Sequence, residues 1–286
     1  MLALWAGTVT GQESEPLAVL STYTEAVAFD DDGNVYVSEP YSDTVSRITA
    51  DGEVSAWAKT GAPNGHKVLP NGNHLLCDNT HAAVLLLDGH GTILRQAASE
   101  CGDHPIRGPN DLTPDAAGGF YFTDPGIFPD SWEQPVGRVC YVGPNGESRV
   151  VLDGLAFPNG IVLEPGENRL LVAESKTERV VEYEVVRPGV VGSSQVLAEV
   201  MGDGITLDRD GNLYIANGRS GDVIVVDRAG TMFRTIPTGI GFVSNLAIGG
   251  AEQDWLYVSG SLNEWSGRAM DNVTRQGALA RIQLTH

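Results

Sequence analysis

The sequence predicts an all-β protein, a six-bladed β-propeller. Three observations lead there: one pattern repeated six times, period-two alternation inside each repeat, and an excess of turn residues where helix-period segments are essentially absent. The repeats begin at Glu25, His66, Asn110, Asn159, Asp203 and Asn245, spaced 41, 44, 49, 44 and 42 residues apart. Glycine is abundant, 35 of 286 residues, about 12% against a usual 7%.

Each repeat has a polar lead residue, a short apolar alternation, a Gly/Asp/Asn turn and a second apolar run. In order they read EAVAFDDDGNVYVSE, HKVLPNGNHLLCD, NDLTPDAAGGFYFTD, NGIVLEPGENRLLVAE, DGITLDRDGNLYIAN and NLAIGGAEQDWLYVSG. Alternation of this kind marks half-buried strands, and the turns suit β-hairpins. Further strand-like runs follow the hairpins: VSRIT, AVLLLD, GRVCYVG, RVVEYEVV, DVIVVD and GALARIQL. About four short strands per period of 40 to 50 residues is a propeller blade. The run ALWAGTV near the N-terminus has no blade of its own. A strand at about 2–8 is expected to complete the last blade beside ALARIQL, making 1–286 one closed domain.

In a propeller the innermost strand of each blade starts at the lead residue and runs down the central channel. The six lead residues therefore ring one mouth. Three long connections, Ala97 to Pro109, Pro125 to Gly137 and Ser261 to Gly277, open on the same face. Long loops on a rigid scaffold are where binding sites are built. Asp124, Glu39, Glu174 and Asn217 end second strands and are expected as an outer polar rim.

Charge narrows the function. With 18 Lys plus Arg against 37 Asp plus Glu, the net charge is -19. Nucleic-acid binding needs clustered cations, so that class is excluded, and anionic membrane surfaces are repelled. No run approaches the roughly 20 apolar residues of a membrane helix. The N-terminus lacks a basic region followed by a long apolar run, so no signal peptide is read and a cytoplasmic setting is expected, although a signal peptide could have been removed. Three cysteines without CxxC spacing point to free thiols and a reducing compartment.

Glu25, Asn110, Asn159 and Asp203 offer carboxylate and amide oxygens, the hard donors that suit Ca²⁺. Zinc would ask for His or Cys clusters, and the ring has one His. The DRDG of Asp208 to Gly211 is a hairpin turn and not an EF-hand, since Arg219 stands where a twelfth-position Glu would be. No GxSxG nucleophile setting and no phosphate-cradling GxxxxGK loop occurs.

The strings GPNDLTPDAAGGFYFTDP, FPNGIVLEPGENRLLVAES and GDGITLDRDGNLYIAN resemble the SMP-30/gluconolactonase/luciferin-regenerating-enzyme family. The resemblance covers about residues 20 to 285. It implies a six-bladed propeller with a divalent cation, commonly Ca²⁺, at one end of the channel, and lactone hydrolysis on a small-molecule substrate. The family's metal ligands fall on Glu25, Asn159 and Asp203, and a further Asn on Asn110, read as both ligand and substrate contact. Mg²⁺, Mn²⁺ or Zn²⁺ are alternative ions. The family often carries an Arg two residues before that Asn; here the place holds Gly108 and the nearest Arg is Arg107, the candidate substrate contact.

In this chemistry the cation polarises the lactone carbonyl and a base activates water. Asp203 is one candidate base. His66 is the other, because paraoxonase-like lactonases carry a His at the matching place in blade two; otherwise it is a channel-lining His that orders water. Asn245 is read as lining the pocket, with Phe128, Trp132 and Trp265 as its walls. The alternatives are a phosphotriesterase of the diisopropylfluorophosphatase kind, using the same metal on a phosphoryl oxygen, and a non-catalytic binding propeller.

Overall fold

The computed structural model describes residues 8–9, 12–250, 252–264 and 275–284. Six antiparallel sheets stand around a central channel. Blade 1 holds Val27–Phe29, Val35–Glu39, Thr44–Ile48 and Val54–Lys59. Blade 2 holds Pro63–Val68, His74–Asp78, Ala83–Leu87 and Ile93–Ala98. Blade 3 holds Leu112–Pro114, Phe120–Asp124, Gly137–Val142 and Ser148–Leu155. Blade 4 holds Pro158–Leu163, Arg169–Glu174, Arg179–Arg187 and Val190–Ala198. Blade 5 holds Ile205–Leu207, Leu213–Asn217, Asp222–Val226 and Met232–Pro237.

Blade 6 joins the two ends of the chain. Phe242–Gly249, Trp255–Ser261 and Gly277–Gln283 come from the C-terminal part, and Gln12–Leu20 pairs antiparallel with Gly277–Gln283 as the fourth strand. Thr8–Val9 adds a short piece outside it. Closure thus comes from a later segment than the strand expected at about 2–8, of which 2–7 lie outside the described residues. Gln12–Leu20 reads poorly as a strand because it carries Glu13, Glu15 and Pro16. An outer strand, paired by Thr8–Val9 only at Gln12 and Glu13, tolerates both: charge suits a largely free edge, and a register shift between Pro16 and Ala18 absorbs the proline.

The core is divided by blade junction. Leu75, Cys77 and Val84 of blade 2 pack on Leu112, Phe122 and Cys140 of blade 3. Tyr121, Val139 and Tyr141 of blade 3 pack on Ile161, Leu170 and Val172 of blade 4. Tyr214, Val223 and Val225 of blade 5 pack on Val243, Leu256 and Val258 of blade 6, and equivalent clusters fill the other three junctions. Each sheet therefore buries both faces, which is why second strands are apolar without a break: HLLCD and FYFTD are buried at every position. Truncating a fully buried side chain such as Phe122 to Ala costs about 3–5 kcal/mol.

Cys101 and Cys140 form a disulfide with Cα atoms 5.6 Å apart, and only Cys77 is free. This corrects the expectation of three free thiols and removes the ground for a reducing compartment. The pairing arises because the connection between blades 2 and 3 folds back as a small ribbon, Glu100–Cys101 against His104–Pro105, onto blade 3. The Gly102 N–H donates to Ser148 Oγ there at 3.0 Å. Among the described residues no helix is long and apolar enough to cross a membrane.

Candidate functional site

The inner strands enter the channel through a repeated hydrogen-bond pattern that fixes which residues form the ring. In three places the N–H of the residue after the lead donates to the lead carbonyl of the next blade, Gly65 to Asn110 at 2.7 Å, Gly160 to Asp203 at 3.0 Å and Gly204 to Ser244 at 2.7 Å, and the Ser38 and Thr123 hydroxyls reach the Asn64 and Asn159 carbonyls, both at 2.7 Å. The ring is therefore Glu25, Asn64, Asn110, Asn159, Asp203 and Ser244. Glycine after the lead is required by close approach, since a Cβ at Gly65 would lie 2.5 Å from the Asn110 carbonyl oxygen.

Four of the six expected lead residues hold their places, and two do not. In blade 2 the lead is Asn64, because a register shift between Pro63 and His66 carries Asn64 and Gly65 into the ring. The same shift between Pro158 and Ile161 places Asn159. His66 lies two residues further down and is fully buried between blades 1 and 2. Its ring stacks on Trp57, with centroids 5.8 Å apart and 24° between planes, and meets Tyr36 and His74. His66 Nε2 is 2.8 Å from His74 Nδ1. Tyr36 and Trp57 are tied to the far face, through Asp30 and the Gly89 carbonyl. Burial holds the His66 pKa well below its ordinary value, with His74 adding to the effect. His66 is thus a packing residue and is not placed as a base at the mouth.

Asn245 stands one residue below the ring. Its Oδ1 accepts the Leu246 N–H at 2.8 Å, and its amide packs where Gly204 has no side chain. Its counterpart in blade 3 is Asp111, whose Oδ1 accepts the Leu112 N–H at 2.8 Å and faces Gly65. Asp111 was not anticipated. Its signal is that the same place holds Gly in blades 2, 4 and 5 and an acid here.

Glu25, Asn159 and Asp203 are buried together at the mouth, at 8%, 7% and 6% exposure, while Asn110 beside them is half-buried. The Tyr23 hydroxyl donates to Glu25 Oε1 at 2.5 Å, and the Asn159 side chain hydrogen-bonds to Asp203. Burial pushes the Glu25 carboxyl up to about 8; the Tyr23 hydrogen bond works against this and Asp111 adds to it. Asp203 is raised well above its ordinary value by burial and by Glu25, opposed by Asn159. Burial likewise raises Asp111, opposed chiefly by Lys67. Two acids in such surroundings need a proton or a cation between them.

Of the residues ending the second strands, expected as an outer polar ring, either supporting the site from behind or solvated, the acids are buried and hold the entry loops. Asp124 accepts the N–H groups of Arg107 at 3.0 Å, Gly108 at 2.8 Å and Gly126 at 3.2 Å. Asp78 accepts Ala62 N–H, Glu39 accepts Thr22 N–H and Glu174 accepts Ala156 N–H. Asn217 caps its own turn instead, through Arg219 and Ser220. The Arg107 side chain is exposed. Phe128 and Trp132 of the loop Pro125 to Gly137 form an aromatic group with Phe157, which precedes Asn159 by two residues. Trp265 lies outside the described residues. A separate cavity of about 140 Å³, lined by Asp115, Tyr121, Glu167 and Arg187, opens at the far face between blades 3 and 4.

The oxygen donors Glu25, Asn110, Asn159 and Asp203 fit a hard divalent cation. The observation that favours this is the pair of buried acids whose burial and mutual repulsion a cation would relieve. Among the described residues no group of three or more His, Cys, Asp and Glu is gathered to hold a metal ion, so the donor set at the mouth is two carboxylates with amides beside them.

Fold and mouth together define a six-bladed propeller with buried acids at one end of its channel. Residues 23–261 match the family model described as SMP-30/Gluconolactonase/LRE-like region. The chain belongs to that family. It is 27% identical over 239 residues to the lactonase drp35 of Staphylococcus saprophyticus, covering 78% of this chain and 72% of that one. Two solved structures share its fold: a gluconolactonase from Xanthomonas campestris (TM-score 0.81, 22% identity, 96% and 91% of the two chains), and regucalcin from Agrobacterium tumefaciens, described as a calcium-binding protein (TM-score 0.76, 18% identity, 95% of both chains).

Proposed function

We propose that this chain is a divalent-cation-dependent hydrolase that opens lactones, with Ca²⁺ held by Glu25, Asn110, Asn159 and Asp203. The observation that supports it most is the convergence of two buried acids and two amides on one mouth of the channel. The family and the drp35 relative point to the same substrate class. When bound, the cation would polarise the lactone carbonyl and offset charge on its oxygen.

The side chains divide the remaining work. Tyr23 holds Glu25 in one orientation through its hydroxyl, and Asn159 holds Asp203. Asp203 is the base: a bound cation would offset the burial and the Glu25 charge that raise its proton affinity, leaving a carboxylate at the mouth to accept the proton of the water that attacks the carbonyl carbon. As the acyl–oxygen bond of the ring breaks, that proton passes to the leaving oxygen, and the product is the hydroxy acid. His66 takes no part, being buried in the junction of blades 1 and 2.

The test is hydrolysis of a lactone panel with one phosphotriester, followed by pH indicator, before and after chelation and with Ca²⁺, Mg²⁺, Mn²⁺ or Zn²⁺ restored. Lactone turnover lost to chelator and regained with a divalent ion is the expected result. Preference for the phosphotriester, or turnover indifferent to chelation, would overturn the reading.

A further inference from the structure

We propose that the mouth selects lactones carrying an apolar or aromatic substituent over polyhydroxylated sugar lactones. This rests on the hydrolase reading above and narrows its substrate.

Two positions before the ring members, where the chain enters the channel above the acids, stand Tyr23, Ala62, Gly108, Phe157, Met201 and Phe242, of which Ala62 and Phe157 are half-buried and the others buried. Only one of these side chains carries a hydrogen-bonding group, the Tyr23 hydroxyl, and it is spent on Glu25. The Phe242 ring lies 5.9 Å from Tyr23, and Tyr23 lies 6.2 Å from Tyr41, which is 44% exposed. On another side Phe157 meets Trp132 edge-on at 5.0 Å and Phe128 at 6.3 Å. Phe128 and its neighbour Ile127 are 45% and 57% exposed. Exposed aromatic surface gathered at the rim of a rigid, concave site is what an apolar ligand covers.

The place where the resemblance calls for an arginine argues the same way. A Cβ at Gly108 would lie 2.4 Å from the Gly126 carbonyl oxygen, so no side chain fits there without moving the loop Pro125 to Gly137. Asp124 fixes that arrangement by holding the N–H groups of Gly108 and Gly126 together. A sugar lactone brings several hydroxyl groups that lose water on entry and need partners. Beside the Phe157 group the only side-chain donor that the described residues show is the Lys176 ammonium, 5.2 Å from the Trp132 ring, whereas a phenyl or alkyl substituent would lie against Phe157 and Phe128.

The test uses the full chain with Ca²⁺ and compares kcat/KM for γ-phenyl-γ-butyrolactone, γ-decalactone, unsubstituted γ-butyrolactone and glucono-δ-lactone. The substituted apolar lactones should exceed glucono-δ-lactone by about tenfold or more. Phe157→Ala should lower the preference for the phenyl lactone over γ-butyrolactone by about tenfold, chiefly through KM. Phe128→Ala, at an exposed position that leaves the fold intact, should lower it in the same direction. Preference for glucono-δ-lactone, or an unchanged ratio in both variants, would overturn the apolar selection and leave the hydrolase standing. Turnover of none of the four would end both readings.

Discussion

The two faces of the propeller carry acidic side chains in opposite surroundings. At the far face, Asp30, Asp88, Asp208 and Asp227 sit in hairpin turns, and each accepts two turn N–H groups at 2.8–3.1 Å. The Thr92 N–H first of all holds Asp88 below its ordinary pKa. At Asp30 partial burial works upward, but Asn34, Tyr36 and Asp32 outweigh it and the carboxyl is lowered. At the mouth, Glu25 and Asp203 are buried with one hydrogen-bond donor apiece, and both are raised. Acid content therefore does not mark a site. What marks it is burial without enough donors to satisfy the charge, which leaves room for a cation.

Exchanging charge on each face breaks the comparison most sharply. Asp203→Asn should cut kcat/KM by about 10²–10⁴, the usual range for losing a positioned base. Asp227→Asn, at the far face, should leave the rate unchanged and alter stability by less than about 0.5 kcal/mol, because the amide oxygen still accepts the Ala229 and Thr231 N–H groups. Equal losses in rate from the two variants would mean that the faces do not differ as described.

The disulfide gives the next largest effect. It closes 39 residues and ties the segment leading to Arg107 and Asn110 onto blade 3. Removing it by Cys101→Ala with Cys140→Ala should cost about 4 kcal/mol in denaturant unfolding on the chain-entropy model. A double variant as stable as the parent would show that the loop is held by its other contacts.

A smaller effect belongs to the buried histidine pair. Burial lowers His74 to about 4, with Asp30 and Asp88 pulling weakly upward, and holds His66 well below the usual range. The unfolded chain binds these protons near pH 6.5 and the folded chain does not. The pair's contribution is therefore fully present above pH 6.5 and is lost as pH falls towards 4. Thermal stability should fall across that window, and less steeply in the His66→Leu, His74→Leu double variant. The pH profile of turnover, set at the mouth, should not follow the same change.

Much of this was legible in the chain, and the failures have physical causes. The blade count follows from the six hairpins, because each one repeats its own alternation and turn chemistry. Glu25, Asn110, Asn159 and Asp203 were found because each directly precedes an alternating run. Asn64 was missed because alternation in blade 2 resumes only at His66, after the backbone irregularity that carries Asn64 into the ring. The closing strand was misplaced because Gln12–Leu20 is an outer strand, where local strand propensity matters least. The Cys101–Cys140 bond and the buried state of Asp111 depend on which segments meet across a blade junction, and no local pattern records that.

Titration calorimetry tests, without any substrate, whether the mouth acids hold a cation. Ca²⁺ titrated into chelator-treated protein should bind at one site per chain, and Asp203→Asn should abolish that binding while its melting behaviour remains that of a folded propeller. A wild-type chain that takes up no Ca²⁺, Mg²⁺, Mn²⁺ or Zn²⁺, or an Asp203→Asn variant that binds as the parent does, would contradict a cation site at the mouth.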